Sequence, residues 1–145
     1  MKRRFSVIPA VYFVLVNEGK VLLSLRKNTG FFDGFYGLVA GHVEGNETMS
    51  AAMVREIREE IGLSISEEDL EMRYVSHRKS DDRESVDFFF YCSKIIRGIV
   101  NKEPLKCQEL RFFPLDSLPK KIIPFVKVAL CELEQHKTYN EYGWL

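Results

Sequence analysis

The stretch Gly41–Leu63 constrains the fold of this chain more than any other part of its sequence. Its second half, from about residue 48 to residue 61, has the periodicity of an amphipathic helix. Thr48 is a favourable N-cap and Gly62 a favourable residue just beyond the last turn, so the sequence marks both helix ends. One side of the predicted helix carries the apolar residues Val54, Ile57 and Ile61.

The opposite side of this helix carries carboxylates at positions that electrostatics disfavours. Glu56 and Glu60 are a like-charge pair four residues apart, and Glu59 and Glu60 lie in the last turn, at the negative end of the helix dipole. A solvated charged face is the alternative interpretation. Three carboxylates gathered against this preference favour a hard cation, Mg²⁺ or Mn²⁺, bound by oxygen ligands.

The wider spacing around the helix matches a known motif. Gly41 is followed by five residues and Glu47, then by seven residues and Arg55-Glu56-Ile57-x-Glu59-Glu60-x-Gly62-Leu63. In these positions the sequence resembles the Nudix box of the MutT-like hydrolases, and the flanking pattern is similar to that family over most of the chain. The segment just upstream departs from it, because many relatives have Trp-x-Leu-Pro-Gly-Gly where this chain has Tyr-Gly-Leu-Val-Ala-Gly.

The resemblance implies a role for each residue of the box. Glu56, Glu59 and Glu60 would be the metal ligands, joined by the backbone carbonyl of Gly41. Arg55 would hold the carboxylates in place through charge-assisted hydrogen bonds, with Glu47 as its partner. A surface charge near the helix start is an equal alternative for Glu47.

The resemblance also implies the reaction, in which water attacks phosphorus and cleaves a diphosphate linkage in a nucleoside di- or triphosphate derivative. Relatives that cleave ADP-ribose tend to carry a proline at a set distance past the box, and those that cleave dinucleoside polyphosphates a tyrosine. This chain has neither at that offset. By elimination we expect nucleoside or deoxynucleoside triphosphates, oxidised ones included. A hydrolase of ADP-ribose or dinucleoside polyphosphates, and a catalytically silent nucleotide-binding or regulatory module, are the alternatives.

The general base is not marked by a motif. Family members often use an acidic residue from a loop or strand after the box, and two places in this chain offer one. Glu109 precedes an apolar strand, whereas Glu84 closes the charged segment Ser80–Glu84, which has the composition of a solvated turn. We therefore rank Glu109 ahead of Glu84 as the catalytic base.

Substrate contacts are expected from two further segments. The segment 27–36 is rich in glycine and aromatic residues and predicts a loop beside the site. Its aromatic side chains either fill the core or stack on a base, and core filling is favoured because large aromatics are mostly buried. A basic trio, 77–79, ends a later strand. The residues expected to contact the substrate are Phe35, His77 and Arg78.

The order of elements predicts an α/β fold in which a mixed β-sheet lies between helices on opposite faces, a Nudix-like α/β/α sandwich. The whole chain, 1–145, is expected to form a single Nudix domain. A second helix is predicted from Pro124 to about His136, and an aromatic tail without periodicity follows it. Its predicted core face consists of Phe125, Val128, Ala129 and Leu133. The predicted strands are 5–16, 20–26, 36–40, 70–79, 85–93 and 109–115, and 116–119 is expected to form a helical turn.

Composition narrows the possible partners. Lysine plus arginine and aspartate plus glutamate are 21 each, so the formal net charge is zero and no global field attracts nucleic acid or a membrane. A small nucleotide is the expected partner, and the oligomeric state is open. The three cysteines form no metal-binding pattern and are expected to be buried free thiols in a reducing compartment, the cytoplasm. The apolar run near the N-terminus is interrupted by Pro9, which favours a buried strand over a signal peptide.

Overall fold

The computed structural model describes residues 2–145. Within this range, an eight-stranded mixed sheet is combined with two α-helices. The helices are α1 (Met49–Ile61) and α2 (Pro124–Glu134). The strands are β1 (Ile8–Asn17), β2 (Lys20–Arg26), β3 (Tyr36–Gly37), β4 (Val39–His42), β5 (Glu71–Lys79), β6 (Glu84–Cys92), β7 (Cys107–Pro114) and β8 (Tyr139–Tyr142).

The sheet is organised around β1. Its neighbours are β6 in parallel and both β2 and β4 in antiparallel orientation, which makes the sheet mixed. From β6 the sheet continues through β5 to β8, and from β2 it continues to β3 and β7. β1 and β2 form a hairpin whose connecting residues, Glu18 and Gly19, both have positive φ, the geometry that matches the twist of two adjacent strands.

Both faces of the central strand are buried. Ala10, Tyr12 and Val14 pack in the core beneath α2, whereas Val11, Phe13 and Leu15 pack in the core beneath α1. A strand covered on both sides has no polar face, which explains why the β1 sequence is apolar without alternation. The predicted α/β/α arrangement is therefore confirmed.

Helix α1 begins and ends where the sequence predicts. The Thr48 hydroxyl accepts a hydrogen bond from the Ala51 amide at 3.0 Å, and Gly62 adopts a left-handed conformation with φ of 71°. The buried residues are Ala52, Met53, Ile57 and Ile61. Val54, predicted to lie on the apolar side, is only half-buried, because the contact with the sheet is centred between Met53 and Ile57.

Three sequence predictions outside α1 need correction. The tail contains a strand, β8, which pairs in parallel with β5 at the edge of the sheet. Residues 116–119 form a turn and a bend followed by irregular structure instead of a helical turn. In α2 the buried residues are Phe125, Val126, Ala129 and Leu130, whereas Val128 and Leu133 are half-buried. Because apolar residues occupy most of the circumference of α2, periodicity alone does not identify its buried side.

The fold places four segments around one region of the surface. One segment is β4 with the loop that leads from it into α1, and the other three are the loops 27–35, 80–83 and 93–106. None of the helices among residues 2–145 has the length and apolar character needed to cross a membrane.

Candidate active site

Arg55 is hydrogen-bonded to several carboxylates at the charged face of α1. Its Nε and Nη2 atoms donate to the two carboxylate oxygens of Glu47 at 3.0 and 2.8 Å. Nη1 donates to Glu56 at 2.8 Å and, more weakly, to Glu59 at 3.4 Å. One guanidinium therefore links the loop before the helix with two of its carboxylates.

The Arg55–Glu47 pair is ionised under ordinary conditions. The hydrogen bond from Arg55, and next the Glu44 amide, lower the pKa of Glu47 from 4.5 to about 2. Hydrogen bonding to Glu47 likewise raises the pKa of Arg55. The sequence-predicted partnership is thus present as a bidentate ion pair, whose planar geometry suits arginine and carboxylate.

Gly41 lies against the carboxylate of Glu56. A Cβ atom at residue 41 would overlap this carboxylate, so the close approach of β4 to α1 requires glycine. The requirement is one of space, because Gly41 is not among the residues with positive φ. The structure therefore brings a backbone segment of β4 and a box carboxylate into direct contact.

Glu60 lies deeper, beside Glu56. Its Oε2 atom is buried and has no hydrogen-bond partner among the described residues. Burial is the main cause that raises the pKa of Glu60 from 4.5 to about 9, and the charge of Glu56 adds to it. Burial also raises the pKa of Glu56. In the absence of a cation, this pair of carboxylates therefore favours a protonated state.

Glu59 differs from the other two box carboxylates. Its side chain is 52% exposed and lies 3.4 Å from Arg55. Within residues 2–145, no three His, Cys, Asp or Glu side chains converge closely enough to hold a metal ion. The structure therefore brings Glu56, Glu60 and Gly41 together, and Glu59 would have to change its side-chain conformation to join them.

The residues present fit a hard divalent cation. The buried, unpartnered oxygen of Glu60 and the adjacent Glu56 carboxylate supply two anionic oxygen groups in a site that electrostatics disfavours without a positive charge. The donors are all oxygens, the ligand type preferred by Mg²⁺ and Mn²⁺.

Two cavities lie in this region, and only the smaller one is lined by the carboxylates of Glu56 and Glu60. The larger cavity has a volume of about 630 Å³ and extends from Gly41 to α2, with Tyr12, Arg78, Ser85 and Phe125 among its lining residues. The smaller cavity, of about 330 Å³, is lined by Glu56, Glu60, Glu103 and Lys106 among others. The two cavities share Arg26, Leu38 and Ala40 in their walls.

The structure places Glu109 away from the box carboxylates. Its carboxylate accepts a hydrogen bond from the Tyr36 hydroxyl, and the next residue, Leu110, points into the smaller cavity. Because neighbouring side chains of a strand point to opposite faces, Glu109 faces away from that cavity. This position disfavours Glu109 as the base.

Glu84 is engaged elsewhere as well. It lies 3.4 Å from His77 Nε2, on the face of the sheet opposite to Ser85 and Arg78, which line the larger cavity. His77 packs on Trp144, with ring centroids 4.8 Å apart. Of the predicted substrate contacts on β5, only Arg78 enters a cavity.

The aromatic loop also differs from prediction. Phe31 and Phe32 are 42% and 38% exposed and line the larger cavity, so the core-filling interpretation is wrong for them. Phe35, predicted to contact substrate, instead packs against the core beneath α2. The loop is turned outward by Asp33, whose carboxylate accepts hydrogen bonds from the Thr29 and Gly30 amides.

Sequence reasoning missed Glu103. This half-buried residue lines the smaller cavity together with Glu56 and Glu60, and its charge contributes to the raised pKa of Glu60. The preceding residue, Lys102, donates its amide to the carbonyl of Glu60 at 3.0 Å, which ties the loop to the end of α1. No local pattern marks Glu103, since its position depends on this long-range contact.

We predict that the metal-free protein becomes less stable as the pH rises. Glu60 has a pKa of about 9 when folded and near 4.5 when unfolded, so the folded state binds the extra proton between these values. The free energy of unfolding then falls through this window, by up to about 1.4 kcal/mol per pH unit. Urea unfolding in chelator at about pH 6 and about pH 8 measures this slope. Glu60→Gln should reduce it, and an identical slope in both proteins would contradict the assignment.

Comparisons with known proteins show which family the chain belongs to. A family model described as the NUDIX domain matches residues 7–133. An ADP-ribose pyrophosphatase of Methanocaldococcus jannaschii is 35% identical over 129 residues, which cover 88% of this chain and 75% of that protein. The NAD-capped RNA hydrolase NudC of Pseudomonas aeruginosa is 30% identical over 106 residues, 73% of this chain but only 36% of that protein.

A solved structure shares the fold. The crystal structure of a MutT NUDIX hydrolase from Burkholderia pseudomallei superposes with a TM-score of 0.80 at 24% identity, covering 89% of this chain and 99% of that one. The family model spans most of the chain, and the archaeal relative is similar over most of its own length. The chain therefore belongs to the Nudix family, as a MutT-like pyrophosphohydrolase.

Proposed function

We propose that this protein is a divalent-metal-dependent hydrolase that cleaves a diphosphate linkage in a nucleotide, with nucleoside and deoxynucleoside triphosphates, oxidised ones included, as the first substrate class. The observation that carries the proposal is the buried, unpartnered Oε2 atom of Glu60 beside Glu56, in the lining of the smaller cavity. A carboxylate pair of this kind is costly unless a cation neutralises it.

The larger cavity is the site for the nucleoside. Its volume of about 630 Å³ is in the range of small-molecule sites, and the exposed rings of Phe31 and Phe32 at its rim offer stacking surfaces for a base. Arg26 lines both cavities, and its Nε donates to the Phe31 carbonyl at 2.7 Å. Arg26 thereby holds the aromatic loop and presents positive charge where a diphosphate would cross between the cavities.

Mg²⁺ or Mn²⁺ would be held by Glu56 and Glu60, with the Gly41 carbonyl and Glu59 completing the oxygen ligands. When bound, such an ion neutralises the anionic phosphate oxygens and lowers the pKa of water. Arg55 fixes Glu56 through its hydrogen bond at 2.8 Å, while Glu47 holds Arg55 from the other side. This division leaves Arg55 and Glu47 as positioning residues.

Glu103 is the proposed general base. It lines the cavity that contains Glu56 and Glu60 but belongs to a separate loop. Because it is not one of the proposed metal ligands, its carboxylate is available to accept a proton. The oxygen of water attacks phosphorus, the bond from phosphorus to the leaving phosphate oxygen breaks, and the water proton passes to Glu103. The Glu103 backbone is held on both sides, because its amide donates to Asn101 and its carbonyl accepts from the Cys107 amide at 2.8 Å.

A second substrate class is ADP-ribose. It is favoured by the 35% identity to an ADP-ribose pyrophosphatase that extends over 75% of that protein. The smaller cavity, lined in part by Ser24, Asn28 and Thr29, offers hydroxyl and amide groups to a sugar on the far side of the diphosphate. The cytoplasm is the proposed compartment, supported by the three free cysteines, of which Cys92 and Cys107 are buried as expected whereas Cys131 is exposed.

Hydrolysis assays on nucleoside triphosphates, deoxynucleoside triphosphates, oxidised nucleotides, ADP-ribose, NADH and dinucleoside polyphosphates test the proposal. Activity should require Mg²⁺ or Mn²⁺ and disappear in chelator. Glu60→Gln should lower kcat by at least ~10²-fold, because it removes the buried anionic ligand. Arg58→Ala is the control, since Arg58 is exposed in the same helix and should change kcat only a few-fold. Near wild-type turnover by Glu60→Gln would disprove the metal assignment.

The base assignment is tested by Glu103→Gln against Glu109→Gln. We predict that Glu103→Gln lowers kcat by roughly 10²–10⁴-fold, the usual contribution of a general base, and leaves Mg²⁺ affinity within a few-fold. Glu109→Gln should keep its activity, because that side chain contacts Tyr36 on the other face of β7. Calorimetric Mg²⁺ titration supplies the second readout. Full kcat in Glu103→Gln would place the base on another residue.

A further inference from the structure

Arg78 is held in the wall of the larger cavity by three contacts. Its Nε donates to Asp87 Oδ2 at 2.7 Å, and its guanidinium carbon lies 3.9 Å from the centroid of the Phe125 ring. The third contact is a long one, 3.4 Å from Nη2 to the Tyr12 hydroxyl. Asp87 is fully buried, so the ion pair is locked in a single orientation by surrounding side chains.

The fixed guanidinium retains free donors. Arginine has five N–H groups and no acceptor, and the contacts with Asp87 and Tyr12 involve Nε and Nη2. Within residues 2–145, Nη1 makes no hydrogen bond, and the side chain lines the cavity. A molecule in this cavity therefore meets a rigid fork of donors.

Neighbouring polar atoms indicate that the cavity wall is built for a ligand. Ser85 Oγ and Asp87 Oδ1 are buried and have no hydrogen-bond partner in the described chain. Ser85 is 3% exposed and lines the same cavity. Buried polar groups are usually paired, so the unpartnered Ser85 hydroxyl in the cavity lining, next to the donor fork, points to a hydrogen bond completed by a bound molecule. Asp87 is fully buried behind Arg78 and does not line the cavity.

The balance of charge around the larger cavity favours a neutral acceptor over a phosphate as the group that binds to the Arg78 fork. Arg26, Arg78 and Arg83 bring three positive charges to the larger cavity. They are balanced by Asp81 and Asp82 in its lining and by Asp87 behind Arg78. A site without excess positive charge has little general attraction for an anion.

A 6-oxopurine matches the fork. Guanine and hypoxanthine carry two adjacent acceptors, O6 and N7, and bidentate pairing of arginine with them is the commonest specific contact to a base. Adenine has an amino group in place of the 6-carbonyl, so an N–H donor of the base would face an N–H donor of Arg78. An 8-oxoguanine base carries a hydrogen at N7 and loses one of the two acceptors.

We propose that Arg78 is the residue that determines base specificity, and that it selects nucleotides with an unoxidised 6-oxopurine, guanine or hypoxanthine, over adenine nucleotides. This inference rests on the proposed function, since it assigns the base in the larger cavity. It narrows the substrate class and disfavours both ADP-ribose and 8-oxo-dGTP as preferred substrates.

The test compares kcat/KM for GTP, ITP and ATP with Mg²⁺ in the wild type, Arg78→Lys and Arg73→Lys. Arg78→Lys keeps the charge but removes the planar fork. Arg73 is a matched control on the same strand, because its guanidinium carbon lies 3.8 Å from the Tyr91 ring centroid and Nη2 donates to Glu71 at 3.0 Å, outside the larger cavity. A ratio of two substrates on one preparation does not depend on the folded fraction.

We expect the wild type to prefer GTP and ITP over ATP by at least about tenfold, and dGTP over 8-oxo-dGTP in the same direction. Arg78→Lys should reduce the GTP-to-ATP ratio to within about twofold of unity, and Arg73→Lys should leave it unchanged. A wild-type preference for ATP, or an equal loss for all three nucleotides in Arg78→Lys, would overturn the proposal. The equal loss would assign Arg78 to phosphate binding or folding.

Equilibrium binding of GMP and AMP separates this inference from the proposed function, because monophosphates contain no diphosphate linkage. Tighter binding of GMP in the wild type, lost in Arg78→Lys, supports base reading even if no nucleotide is hydrolysed. Equal affinities for GMP and AMP in the wild type would overturn base reading even if the enzyme is active.

Discussion

The repulsion between Glu56 and Glu60 is the interaction on which the site depends. Both carboxylates are withdrawn from water on one side of α1, and burial raises the pKa of each. Arg55 neutralises only part of this charge, because its hydrogen bonds reach Glu47, Glu56 and the exposed Glu59. The deepest oxygen, Oε2 of Glu60, has no partner among the described residues. A cation is the simplest group that would stabilise this arrangement.

The rest of the fold holds these carboxylates in place. Ile57 and Ile61 anchor α1 on one face of the sheet, which presses Glu56 against Gly41 of β4. The other face of the sheet, under α2, supplies the larger cavity. Since β4 borders both the helix and the cavity, a nucleotide in the cavity would have its phosphates beside the carboxylates. The position of the chemistry thus follows from the pairing of β4 with β1.

Local interactions made much of this site predictable from the sequence. The ends of α1 depend on Thr48 and Gly62, and the Arg55–Glu47 contact spans only eight residues. Helical periodicity alone brings Arg55, Glu56 and Glu59 within reach of one another. The family resemblance adds the identity of the motif, because the spacing from Gly41 to Leu63 is continuous in the chain.

Long-range contacts account for what the sequence did not predict. Glu103 reaches the site because its loop bonds to the last turn of α1, and Glu109 turns away because of the register of β7 with β2. The exposure of Phe31, in contrast to Phe35, depends on how the loop folds around Asp33. Asp87 lies within the largely apolar strand β6, where nothing local indicates its partner, Arg78 on β5.

The most direct measurement of the central claim is the position of Mn²⁺ in crystals, read from its anomalous scattering. We expect a peak within metal–oxygen bonding distance of Glu60 Oε2 and of the Glu56 carboxylate, next to Gly41. In Glu60→Gln crystals this peak should be lost or much weaker, with α1 unchanged. A peak confined to the exposed acidic loop at Asp81 and Asp82, with none at Glu60, would show that Glu56 and Glu60 do not form the metal site.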